Sequence, residues 1–524
     1  MSRRQRSAKK QAARVKLTRA KLLRRRARGA AATAAAMSLA GAAAAGYATP
    51  RAGAEPIGPA SSAAAALAPC PTPSPSSSRP QDLVKVGGTL FFTADDGVHG
   101  RELWKSDGTA AGTVLVKDVT PSGHSGYSPS LTAVGGRLFF TADDGVHGGE
   151  LWTSDGTTAG TVLVKDINPG DDGYGYDPSY LTAAGGKLFF TVDDGRHGAE
   201  LWTSDGTAAG TVLVKDIVKR PRRVGSFPSE LTAVGRKLFF LAGGPTGTEL
   251  WKSNGTRSGT VMVKTLNPGG QQDDYDDDPS NLTAAGGRLF FADKDDRTGT
   301  ELWTSNGTRG GTVMVKDLNP GMLSGPYDYP NSSYPEDLTA AGRTLFFSAF
   351  DDSHGRELWN SNGTRAGTVL VDDIRPGARD GGPSYVAAVG RKVFFAASDG
   401  VHGQELWKSG GSGSSTVQVK DIRRGDGSSS PTLLTTVKRT LFFTAEDRAH
   451  GRELWKSNGN RSGTVLVKDI RKCSGQSRGP QSLTRVGKNL FFAASDGVNG
   501  QELWISDGTK AGTVMVKDIN TLGS

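Results

Sequence analysis

The chain has 524 residues, 72 of them Gly, with only 7% aromatics and a formal charge of +10. That length allows several ordinary domains or one large repeat domain, and the Gly content suits short strands joined by tight turns. Two cysteines, Cys70 and Cys473, exclude a disulfide scaffold and a Cys-rich zinc site, which takes about four ligands.

The first 28 residues hold 13 Lys and Arg and no acid, and an Ala-rich apolar run follows. Small residues at Ala48 and Ala54 offer cleavage positions. Basic region, apolar stretch and small-residue site predict a secretory signal peptide over residues 1–54. Arg3-Arg4 points toward twin-arginine export, although Gln5-Arg6-Ser7 lack the apolar positions of such signals. A retained signal anchor and mitochondrial-type targeting are the alternatives. Residues 1–54 carry 14 Lys and Arg and no acid, so their removal takes the charge from +10 to −4. The basic balance thus belongs to the export segment and gives no reason to expect a nucleic-acid surface. The mature protein is expected to be secreted or at the cell surface, with no stable membrane span after cleavage. Pro69 before Cys70 argues against a lipoprotein anchor.

Residues 55–80, EPIGPASSAAAALAPCPTPSPSSSRP, bury too little apolar surface to offset their ordering entropy and read as a disordered linker. From residue 81 to 524 one phrase recurs nine times, as in ELWKSDGTAAGTVLVKD at 102–118. All nine Trp lie in ELW triplets, from Trp104 to Trp504, spaced 48, 50, 49, 52, 56, 48, 48 and 49 residues apart. Such a period marks a solenoid, propeller or array. The unit at 130–167 breaks into four β-prone runs, LTAV, RLFFTA, GELWTS and GTVLVKDI. Between them stand the turn words GG, DDGVHG and SDGTTAG. Four antiparallel strands per unit, here called a to d, predict an all-β β-propeller of nine four-stranded blades. An open or split repeat array is the alternative.

The repeated phrase resembles the ELWxxDGT-repeat family of exported bacterial proteins, over residues 81–524. Trp104, Trp152, Trp202 and Trp504 are followed by SDGT; Trp251, Trp303 and Trp359 by SNGT; Trp455 by SNGN; and the seventh copy reads SGGSGSST. The resemblance implies a propeller-like repeat and export, and no activity.

The nine Glu before Leu-Trp keep the repeat symmetry, which suits carboxylates paired with turn amides better than a catalytic or metal site. Asp107, Asn254 and their equivalents are expected to fold the c–d hairpin, and their interchange argues against an obligatory charge. Six of the seven His, from His99 to His450, sit in the b–c turn, one per blade, and read as solvated turn residues. The Lys of strand d, such as Lys117, is expected to lie exposed and discourage edge pairing.

Symmetry breaks in the d–a connections, where Tyr and acids cluster. Tyr174, Tyr176, Asp177, Tyr275, Asp276, Tyr327, Asp328, Tyr329 and Tyr334 are the candidate binding residues. Tyr offers rigid area with a polar tip, and Asp bonds hydroxyls or a hard cation, which brings calcium into consideration while no other cofactor is implied. The expected role is a binding or scaffold module recognising a glycan or a surface protein. A propeller glycoside hydrolase or lyase and a purely structural surface protein are the alternatives. Cys473 stands between blades 8 and 9 and Cys70 before blade 1, so an exported chain could bridge them at ring closure.

Overall fold

A computed structural model describes residues 77–120, 130–169, 177–219, 225–244, 247–266, 278–323, 329–472 and 479–521. It contains nine four-stranded antiparallel sheets, each built from four consecutive strands. In blade 1 these are Gln81–Val86 (a), Thr89–Asp95 (b), Arg101–Ser106 (c) and Val114–Lys117 (d). Beyond the blades, the described residues include a two-stranded ribbon, Met322–Leu323 with Tyr329–Pro330, and one 3-10 turn at Gly413–Ser415.

The blades form because each repeat carries apolar residues on both faces of its sheet. Alternation along strand b sends Leu90, Phe92 and Ala94 one way and Phe91 the other. Leu90, Phe92 and Trp104 pack on Val486, Phe491, Leu503 and Val516 of blade 9. Phe91, Leu103 and Val116 pack on Leu138, Phe140 and Trp152 of blade 2. The same exchange occurs at all nine junctions. Each fully buried Leu or Phe contributes roughly 1.5–3 kcal/mol, which no isolated blade could collect.

Blade 9 meets blade 1 through an apolar cluster of the same kind, so the ring is closed and the open-array alternative falls. No strand is exchanged at the seam. Instead, Ser78 N donates to Glu502 Oε1 at 2.8 Å and Ser78 Oγ to Oε2 at 2.5 Å. Arg79 N donates to Gln501 O at 3.0 Å, and Gln501 N to Ser77 Oγ at 3.0 Å. The last four residues of the 55–80 segment, Ser77–Pro80, are therefore part of the ring wall. Residues 1–76, and with them the signal segment and Cys70, lie outside the described residues, as does Cys473.

Candidate functional site

The repeated side chains hold the ring. Glu102 accepts from Val119 N at 3.0 Å and Thr120 N at 3.2 Å. Glu301 accepts from Leu318 N, Ser333 N and Ser333 Oγ at 3.0, 3.0 and 2.7 Å, and Glu405 takes the same set from Ile422 and Ser429. Each such Glu anchors the chain as it leaves strand d. Burial pushes Glu102, Glu301 and Glu502 up to about 7.

In the c–d turn, Asp107 Oδ1 accepts from Thr109 N and Oγ1, both at 2.8 Å. Asn254 does the same with Thr256 at 3.0 and 2.8 Å. Only an acceptor oxygen is needed, which explains the interchange. His99 is more than a solvated turn residue: its Nδ1 meets Asp96 Oδ2 at 2.8 Å, and the ring is 39% exposed. In blade 9 Asn499 makes the equivalent bond to Asp496 at 2.8 Å, so His and Asn supply the same donor there.

The expectation for the strand-d lysines is corrected. Lys117 Nζ donates to Thr161 O of blade 2 at 2.9 Å and lies 5.4 Å from the Trp152 ring. Lys517 closes the circle on Thr113 O at 3.0 Å, over Trp104 at 5.8 Å. These lysines staple blade to blade at eight of the nine junctions; the strand-level pattern showed only that they sat on the outer strand.

Departures from symmetry mark a candidate cleft. The cleft between blades 5 and 6, about 110 Å³, is lined by Asp278, Ser280, Asn281, Ala292, Lys294, Thr300, Tyr334, Pro335 and Glu336. Tyr334 is 54% exposed and held at φ 44. Its backbone N donates to Thr300 O at 3.2 Å, which fixes the main chain at the cleft that Tyr334 lines. Tyr329, on the added ribbon, is 58% exposed. Asp177 lies half-buried against the backbone of Gly149, the place where Asp380 accepts from Arg356 N at 2.7 Å in blade 6. Tyr174, Tyr176, Tyr275, Asp276, Tyr327 and Asp328 lie outside the described residues.

Three features were missed from sequence. The second residue of strand a adopts a left-handed φ at Asp82, Tyr180, Glu230, Asn281, Asp337, Tyr385, Leu433 and Ser482, from 53° to 60°, beside a register shift in strand a. The strands a of adjacent blades contact one another along the inside of the ring, and the bulged residue is polar or aromatic in every one of these strands except at Leu433. Glu230 Oε2 accepts from Leu282 N at 3.4 Å and Asn281 Nδ2 donates to Pro335 O at 3.3 Å, linking the rim around the ring to the cleft. Burial raises Asp337, and neighbouring Glu336 adds to the effect.

The third is Asp293, in strand b of blade 5. It is 2% exposed, and its Oδ1 has no hydrogen-bond partner among the described residues. Burial pushes its carboxyl to about 8; Lys264 pulls the other way, while Asp278 and Asp295 add to the rise. The other blades carry Ala or Val there, from Ala94 to Ala494. Comparing the nine units position by position would have found it. Among the described residues, no group of three or more His, Cys, Asp or Glu is arranged to hold a metal ion, and no helix is long and apolar enough to cross a membrane.

No family model matches the chain, and no curated relative matches it. Among solved structures it is similar to puromycin hydrolase, at 16% identity and TM-score 0.35, over 72% of this chain and 61% of that one. It is also similar to the β-propeller domain of the Trilobed protease from Pyrococcus furiosus, at 10% identity and TM-score 0.33, over 66% of this chain and 99% of that one. A third is Pyrococcus horikoshii acylaminoacyl peptidase, at 10% identity and TM-score 0.33, over 67% of this chain and 53% of that one. The chain thus spans about three-fifths of the length of puromycin hydrolase. The likeness is one of fold and does not extend to an activity.

Proposed function

We propose that the protein is a binding module, exported to the cell surface or beyond it, that recognises a glycan through the ring face carrying the d–a connections. The observation that supports this reading is the blade 5–6 cleft, where an exposed Tyr334 stands beside Asn281, Ser280, Lys294 and Glu336. A tyrosine face stacks on the apolar face of a sugar, and amide, hydroxyl and charged groups meet its hydroxyls. At about 110 Å³ the cleft is smaller than the roughly 300–1,000 Å³ of small-molecule pockets, which suits one unit of a polymer. The rim residue Tyr385, 36% exposed, extends the aromatic surface to the neighbouring blade 7.

A glycan-array screen of residues 55–524, in calcium and in chelator, tests the reading. Selective signal that Tyr334→Ala and Asn281→Ala each abolish is the expected result. A blank array in both buffers overturns the glycan assignment and turns the same face toward a protein partner.

A further inference from the structure

Eight junctions of the ring carry the lysine staple, and one does not. At eight junctions a strand-d lysine reaches the next blade, with Nζ 2.6–3.2 Å from a Thr carbonyl and 4.6–5.8 Å from a Trp ring centroid. Each of these lysines is half-buried, so the slot its stem follows reaches solvent. Between blades 6 and 7 the lysine position is held by Asp372, which pairs with Leu358 as Lys117 pairs with Leu103.

Three further observations concern the same junction. The Asp372 carboxylate points at blade 7: a Cβ on Gly413 would come within 3.1 Å of its Oδ1. The Trp that the missing lysine would cover, Trp407, is 9% exposed, against 5–8% for the eight Trp that keep their lysine, while its Nε1, like that of six other Trp, has no partner among the described residues. Opposite Trp407 stands Gln418, where blade 1 has Leu115 and blade 9 has Met515; its buried Nε2 is also without a partner there. One junction therefore combines a carboxylate, an aromatic ring without its lysine and an unused amide donor. The eight other junctions show what such a Trp face and Thr carbonyl accept.

We infer that the blade 6–7 junction is a socket for a primary alkylammonium group, supplied by a lysine side chain of a partner protein or by a free polyamine. The alkyl stem lies along Trp407 and the ammonium meets the ring face and the Asp372 carboxylate; where the amine is a partner's lysine, Gln418 Nε2 donates to a carbonyl oxygen of that partner. Asp372 also acts as the reason the chain's own cation does not compete. The socket and the blade 5–6 cleft are separate, so either can fail without the other.

The test is a saturation-transfer NMR titration of the full chain with n-butylammonium, using n-butanol as the neutral control. Saturable binding in the millimolar range is expected for the amine and none for the alcohol. Asp372→Lys, which restores the staple, should abolish binding and raise the unfolding midpoint. Asp372→Asn should weaken binding about tenfold or more, and it keeps the test intact should the lysine variant not fold. Tighter binding of Nα-acetyl-lysine amide than of cadaverine assigns the socket to a partner's lysine, and the reverse order to a polyamine. No saturable binding of any amine, or equal binding by wild type and Asp372→Asn, overturns the proposal.

Discussion

The clasp at the ring seam makes a quantitative prediction. Ser78 is fully buried and gives Glu502 two hydrogen bonds, at 2.8 and 2.5 Å. Its carbonyl also accepts from Asp95 N at 2.9 Å. Ser226 makes the same pair of bonds to Glu200, at 3.0 and 2.5 Å, within one continuous stretch of chain. Ser78→Ala and Ser226→Ala each remove a hydroxyl from a buried carboxyl group and should cost about 1.5–3 kcal/mol locally. The consequences differ, because only Ser78 bridges two ends of the ring. Starting the chain at residue 81 also removes Arg79 N→Gln501 O and Gln501 N→Ser77 Oγ. At about 0.5–1.5 kcal/mol per bond, the five bonds just named amount to roughly 5 kcal/mol.

Native-state hydrogen exchange measures this directly. The amides of Asp95 and Gln501 should lose protection by about a hundredfold or more in the truncated chain. They should change little in Ser226→Ala, which opens blade 3 locally. Equal protection in chains beginning at residues 55 and 81 would refute the clasp and leave closure to the apolar cluster alone.

Other outcomes follow from the same structure. Burial holds Glu102, Glu150, Glu200, Glu301, Glu357, Glu453 and Glu502 at about 7 against an ordinary 4.5. The folded ring therefore keeps protons that the unfolded chain releases, and stability falls as pH rises from 4.5 toward 7. His99, His147 and His402 are raised by their Asp partners, so their contribution is present below 6.5 and is lost above it. The unfolding midpoint should be higher near pH 5.5 than near pH 8, and a midpoint that climbs over this range contradicts the assignment. Asp293→Ala installs the residue of most other blades and removes a buried acid with one oxygen unpartnered, so denaturant titration should show a gain of about 1–3 kcal/mol. Lys165→Met loses the bond to Thr211 O at 3.0 Å and the contact with Trp202 at 5.7 Å, which should cost about 1–2 kcal/mol by the same titration. Asn254→Asp should change stability by less than about 0.5 kcal/mol, since either residue supplies the turn's acceptor.

The blade was legible in the chain because its determinants are short-range. Turn chemistry acts over a few residues: Asp107 bonds Thr109, and Ser106 Oγ meets Thr113 Oγ1 at 2.7 Å. The LFF and ELW words alternate within one strand, so periodicity alone assigns their faces. The structural reading of the nine Glu also came from symmetry, and Glu102 shows its basis in the amides of Val119 and Thr120. Of the nine candidate binding residues, the structure describes Asp177, Tyr329 and Tyr334, and only Tyr334 lines the cleft.

What the tertiary structure decided depends on partners distant along the chain. Lys117 looked like an outer-strand charge because Thr161 and Trp152, the groups it meets, belong to the next repeat. Ser77–Pro80 looked like linker because the partners of Ser78 and Arg79 stand more than 400 positions away. Asp293 was visible as one acid among many, but its meaning came from burial against blade 4, which raises the cost of its charge. A repeat unit states its own fold, since its turns and strand faces are set by neighbours in sequence. Closure, stapling and the departures that create sites arise only when nine units meet, because packing pairs residues that chain order keeps apart.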